Sequence, residues 1–134
     1  MTQHDDPSGD SAHLDPNAAP WRNFYGRRNG KTLNKAQKDY LREDLAALTP
    51  GAVGWDVNPD RNPLDMVTRF HGKPVWLEVG FGGGEHIAHM AQTYPDVEII
   101  GCEPYVNGVA MLLGKLRRAR ISNIAVHPGD ARDL

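Results

Sequence analysis

Apolar positions recur at helical spacing early in the chain. In TLNKAQKDYLREDLAALTPG, Leu41, Leu45 and Leu48 fall on one face of a helix. Thr32 or Asn34 can cap its start, and Pro50-Gly51 ends it. Residues 51–63, GAVGWDVNPDRNP, carry no period and read as loop. The pattern then becomes continuously apolar in PVWLEVGF, broken only by Glu78, which predicts a strand buried on both faces of a parallel sheet. EHIAHMAQTY reads as a helix ending before Pro95, and VEIIGCE as a second buried strand. VNGVAMLLGKLRRAR places Val109, Leu112, Leu113 and Leu116 at helical spacing, and NIAVHPGD reads as a third strand with its exit loop. Strand, helix, strand, helix, strand is the first half of an open, Rossmann-like α/β sheet. No internal repeat or low-complexity tract interrupts it.

Composition narrows the class. The chain has 134 residues, the length of one domain with one core, and 40% hydrophobic with 24% charged residues is ordinary for a soluble globular protein. A lone cysteine, Cys102, excludes an internal disulfide and a cysteine zinc site; placed inside a buried strand, it is expected to be an inert core thiol. The N-terminus lacks a secretory pattern, and no apolar run approaches the roughly 18 residues of a membrane span. A cytoplasmic protein without membrane association is the expectation.

The net charge of −2 conceals a segregation. Residues 1–20 carry Asp5, Asp6, Asp10 and Asp15 with no Lys or Arg, and their Pro, Ser and Ala content predicts a disordered acidic leader. The sign then reverses through Arg22, Arg27, Arg28, Lys31, Lys35, Lys38 and Arg42, and a second basic group follows at Lys115, Arg117, Arg118 and Arg120. Such clusters suit a polyanion, or else form a solvated helix face. The expected organisation is a leader over 1–20, a basic arm and helix over 21–50, a linker over 51–71 and a ligand-binding half-domain over 72–134.

Four glycines, Gly80, Gly82, Gly83 and Gly84, stand where the first strand turns into the first long helix. Glycine tolerates positive φ and lets a ligand approach the main chain, and the following helix aims free N–H groups into the turn. In dinucleotide-binding folds the pattern is G-x-G-x-x-G/A with pyrophosphate at the helix start. Here Glu85 holds the third position, and Glu78 precedes the turn. Two carboxylates oppose a pyrophosphate and favour a cationic or zwitterionic ligand. Glu103, ending the second strand about 20 residues on, sits where a ribose-binding acid belongs.

The acid-x-Gly-x-Gly-x-Gly turn resembles the first motif of class I S-adenosylmethionine-dependent methyltransferases. With Tyr25-Gly26-Arg27-Arg28, Leu77-Glu78-Val79-Gly80-Phe81-Gly82 and Gly101-Cys102-Glu103 followed by Gly108-Val109, residues 21–134 resemble the N-terminal half of bacterial tRNA (guanine-N7)-methyltransferases. The resemblance implies a class I sheet with its first three strands present and S-adenosylmethionine as cofactor. It assigns cofactor binding to Glu78, Gly80, Gly82, Gly84, Glu103 and Asp130, with Asp130 near the adenine amino group. It assigns tRNA contact to Arg27, Arg28 and Lys31, beside Phe24 and Tyr25, which stack on bases or pack on the domain. It also implies methyl transfer to N7 of a variable-loop guanosine and, in the complete protein, a monomer. Family members run about as long again, to an Asp-Pro-Trp-Pro-Lys segment with the aspartate assigned as catalytic. The catalytic residue is therefore expected beyond Leu134, the C-terminal half of the fold is expected to be missing, and the first strand is expected to keep an unpaired edge. Two other readings are a class I methyltransferase acting on a protein or small molecule, and a non-catalytic RNA-binding module. His86 and His89, three apart on the first long helix, are read as surface or packing residues, and no metal site is expected.

Overall fold

The computed structural model describes residues 30–134. Among the described residues the first helix, α1 (Lys35–Glu43), starts at Asn34, one of the two candidate caps. Its side chain accepts the Gln37 N–H at 2.8 Å, and the Gln37 side chain accepts the Asn34 N–H at 3.1 Å. This reciprocal box satisfies two donors that a helix start leaves open. The helix expected to run through Leu48 divides at Asp44, leaving one further turn, α2 (Leu45–Leu48). Asp44 and Glu43 there hold the Arg117 guanidinium at 2.7 and 3.2 Å.

Within residues 51–71, read from sequence as linker, Val53, Asn58 and Phe70 are buried, and Met66–Phe70 forms a short helix, α3, capped by the Asp65 side chain. The sheet follows: β1 (Val75–Val79), helix α4 (Glu85–Thr93), β2 (Glu98–Cys102), helix α5 (Val106–Ala119) and β3 (Ile124–His127). The strands are parallel in the order β1-β2-β3, with Glu78 opposite Gly101 and Gly101 opposite Val126. Each strand and helix predicted in this region is present.

Alternation along the strands separates two cores. On one face Ile99, Ile124 and Val126 pack against Ile87 and Ala91 of α4 and Val109, Leu112, Leu113 and Leu116 of α5. Tyr40 and Leu41 of α1 extend that cluster. On the other face Ile100, Cys102 and Ala125 meet Phe70 of α3. β2 has a neighbour on each side and is buried from Ile99 to Cys102.

β1 departs from its expected burial on both faces. Among the described residues it is an edge strand, with Leu77 54% and Val79 63% exposed. The reason is geometric: among the described residues β2 pairs along one side only, and the cluster on the face with Leu77 and Val79 is small, built from Phe70 of α3 with Ala131 and Leu134. On the opposite face Trp76 is half-covered by an edge-on contact with Tyr94, ring centroids 5.1 Å apart. Among the described residues the edge anticipated for this strand is unpaired.

Candidate functional site

At the carboxyl end of β1 the chain enters α4 through Gly80–Gly84. Gly80, Gly82 and Gly84 adopt φ of 73°, 59° and 90°, a region that costs any residue with a Cβ. The turn has two different sides. A Cβ on Gly80 or Gly82 would meet nothing within 4 Å, so the outer side is open. A Cβ on Gly84 would lie 2.7 Å from the Leu112 side chain, so the inner side is packed on α5. Helix α5 also comes close through Gly108, whose added Cβ would fall 2.1 Å from the Gly82 carbonyl oxygen. From the same helix the Lys115 ammonium donates to the Gly83 carbonyl at 3.0 Å.

Two carboxylates share the side of the sheet that faces this turn. Glu78 stands opposite Gly101, and Glu103 follows two residues later, so period-two alternation points both the same way. The Glu103 N–H donates to the His127 carbonyl at 3.1 Å, which carries the ladder one residue past β2. Glu103 is buried, and its two oxygens are used separately. Oε1 accepts the Gly82 N–H at 2.8 Å, and Oε2 accepts the Tyr105 N–H at 3.1 Å. One carboxylate therefore ties the glycine turn to the residue that precedes α5, through charge-assisted bonds. Glu78 Oε1 lies 2.5 Å from His86 Nδ1 on α4. Asp130 caps the 3₁₀ turn Ala131–Asp133, accepting the Arg132 N–H at 2.8 Å and the Arg132 guanidinium at 2.5 Å.

The structure thus brings Glu78, Glu103 and Asp130 to the carboxyl ends of three adjacent parallel strands, with Gly80, Gly82 and Gly84 beside them. That is the end of an open α/β sheet at which ligands bind. Lys31 is exposed, and Arg27 and Arg28 lie outside the described residues. Glu85 opens α4 with its side chain exposed and 3.6 Å from Lys115. Its own N–H and the Lys115 charge hold the carboxyl below its usual pKa.

The contacts of four side chains were not legible in the sequence. His86, read as a surface or packing residue, partners Glu78; its place in the first turn of α4, beyond a strand-end acid, was the available signal. Lys115 and Arg117 belong by composition to the late basic group, yet one holds Gly83 and the other holds α1. Two of the four residues of that basic group are thus engaged in internal contacts. Asn107, which carries no motif, is buried and hydrogen-bonded to residues 30 and 31. Cys102 behaves as expected: it is buried, and burial, with Asp133 and Asp130 adding to it, pushes its thiol up to about 12.

The model of the family described as "Putative methyltransferase" matches residues 72–134. A tRNA (guanine-N(7)-)-methyltransferase of Roseobacter denitrificans is 70% identical over 115 residues, covering 86% of this chain and 49% of the relative. The protein of that name from Cereibacter sphaeroides is 57% identical over 130 residues, covering 97% and 54%. That from Paramagnetospirillum magneticum is 41% identical over 122 residues, covering 88% and 49%. The chain spans about half the length of the curated relatives it matches.

Proposed function

We propose, from the match of residues 72–134 to the methyltransferase family model and the likeness to tRNA (guanine-N(7)-)-methyltransferases, that the intact protein transfers a methyl group from S-adenosylmethionine to N7 of a tRNA guanosine. The observation that carries this reading is the pairing of an outward-open glycine turn with carboxylates at the ends of β1 and β2. The donor set fits this cofactor, which presents hydroxyls, an ammonium and a sulfonium but no phosphate. A carboxylate accepts about four hydrogen bonds, and the Gly82 and Tyr105 N–H groups occupy one site on each oxygen of Glu103. Glu103 would hold the ribose hydroxyls, Glu78 the ammonium end, and the open faces of Gly80 and Gly82 the groups between them. Asp130, at the end of β3, would meet the adenine amino group. When bound, the cofactor supplies an electrophilic methyl on a cationic sulfur.

The chain's own residues have the task of orientation. Glu103 holds the turn from one side, and Lys115 and Gly108 hold it from the other, so the floor is set before a ligand arrives. Guanine N7 carries an in-plane lone pair and needs no base to expose it. Rate then comes largely from alignment, an effect that reaches about 7–11 kcal/mol in well-placed systems. Arg27, Arg28 and Lys31 would contact the tRNA backbone. The organisation that accompanies this reading is a leader, a basic arm with α1, a connecting segment and the cofactor half-domain.

The experiment is methylation of a tRNA transcript by the full-length protein, followed by nucleoside analysis. 7-Methylguanosine is the expected product, and its absence under conditions in which the cofactor binds would sink the assignment. Replacing Arg27 and Arg28 together by Ala should also flatten the dependence of log tRNA affinity on log salt, because phosphate contacts release counterions.

A further inference from the structure

Asn107 occupies the first turn of α5, two residues past Tyr105, and is buried with 8% of its surface exposed. Both ends of its amide are used, and both go to main chain more than seventy residues earlier. Oδ1 accepts the Gly30 N–H at 2.8 Å, and Nδ2 donates to the Lys31 carbonyl at 2.6 Å. Such bonds hold a segment in place without reading its side chains. The segment is seated closely: a Cβ on Gly30 would fall 2.2 Å from the Tyr105 hydroxyl. The N–H of that same Tyr105 donates to Glu103 Oε2. The root of the basic arm is therefore fixed beside the proposed ribose-binding carboxylate. The next fixed point along the chain is the Asn34 capping box, four residues further from the arginines.

We propose that Asn107 is a positioning residue for the nucleic-acid substrate. It clasps the arm at Gly30 and Lys31, so that the basic Lys31 is carried at a fixed place on the domain, next to Tyr105 and the cofactor end of the sheet. The proposal rests on the tRNA reading above. Release of the clasp frees the segment from Gly30 to the capping box at Asn34, Lys31 included. The phosphate-binding charges stay the same in number but lose their registration with the methyl donor. A pre-placed second contact raises affinity through effective concentration, and that gain is what disappears.

The test uses the full chain with Asn107→Ala, Asn107→Asp and Gly30→Pro. Amide hydrogen exchange of the peptide containing Gly30 and Lys31 reads the clasp directly. Exchange should accelerate at least about tenfold in Asn107→Ala, and Asn107→Asp should recover only part of the protection, because its carboxylate still accepts the Gly30 N–H but has no donor for the Lys31 carbonyl. Affinity for tRNA should fall roughly tenfold in Asn107→Ala. Gly30→Pro breaks the clasp from the arm's side, deleting the donated N–H and crowding the Tyr105 ring, and should show the same loss, so the proposal stays testable if Asn107→Ala fails to fold. Unchanged exchange in Asn107→Ala overturns the clasp. Accelerated exchange with tRNA affinity unchanged in both Asn107→Ala and Gly30→Pro overturns the positioning role. A wild-type protein that shows no salt-dependent tRNA binding overturns the substrate reading instead, while the exchange arm still judges the clasp.

Discussion

Gly108→Ala separates local propensity from tertiary contact. Gly108 lies inside the first turns of α5, where alanine normally stabilises a helix by about 1 kcal/mol relative to glycine. Here the added methyl would sit 2.1 Å from the Gly82 carbonyl oxygen and 2.9 Å from its carbon. Both are backbone atoms, in a turn held by Glu103 on one side and Lys115 on the other. Neither atom can swing away as a flexible side chain would. Relief requires α5 to move off the turn, which stretches the Gly82–Glu103 hydrogen bond and loosens Leu112 against Gly84. Overpacking of this kind costs about 1–3 kcal/mol, so the expected net loss reaches about 2 kcal/mol after the gain in propensity. Urea unfolding followed by circular dichroism measures it, and calorimetry with S-adenosylmethionine should show weaker binding because the turn has shifted. Gly114→Ala in the same helix is the control. Its methyl would meet the end of the Arg118 side chain at 3.0 Å and the Tyr40 ring at 3.2 Å, contacts that can give by small movements. A Gly108→Ala protein as stable as wild type, with unchanged cofactor affinity, would refute the close approach of α5 to the turn.

Two further outcomes follow from the same geometry. Glu103→Ala should weaken S-adenosylmethionine binding by about 2–3 kcal/mol in calorimetry, the loss of a charge-assisted pair of hydrogen bonds, while tRNA affinity changes little. An unchanged cofactor affinity would remove Glu103 from the ribose site. Cys102, with its thiol pushed up to about 12 chiefly by burial, stays protonated at pH 8 and should resist alkylation in the folded protein but react in urea. Rapid labelling under native conditions would contradict its placement in the core.

Much of the fold was carried by periodicity and punctuation. The three strands, the two crossover helices and the stops at Pro50-Gly51 and Pro95 follow from local chemistry, and the structure has them where the pattern put them. The glycine turn and the strand-end acids were equally visible, because positive φ and close approach demand glycine whatever surrounds it. Tertiary structure decided which polar groups meet. Lys115 and Arg117 are alike in composition, but helical rotation aims one at Gly83 and the other at Asp44. Asn107 reaches residues more than seventy positions away, a pairing that no local period encodes. The exposure of β1 was likewise not a property of its own sequence. VWLEV is apolar enough for a covered strand, and how much of it is buried depends on which neighbours pair with it and pack on its faces.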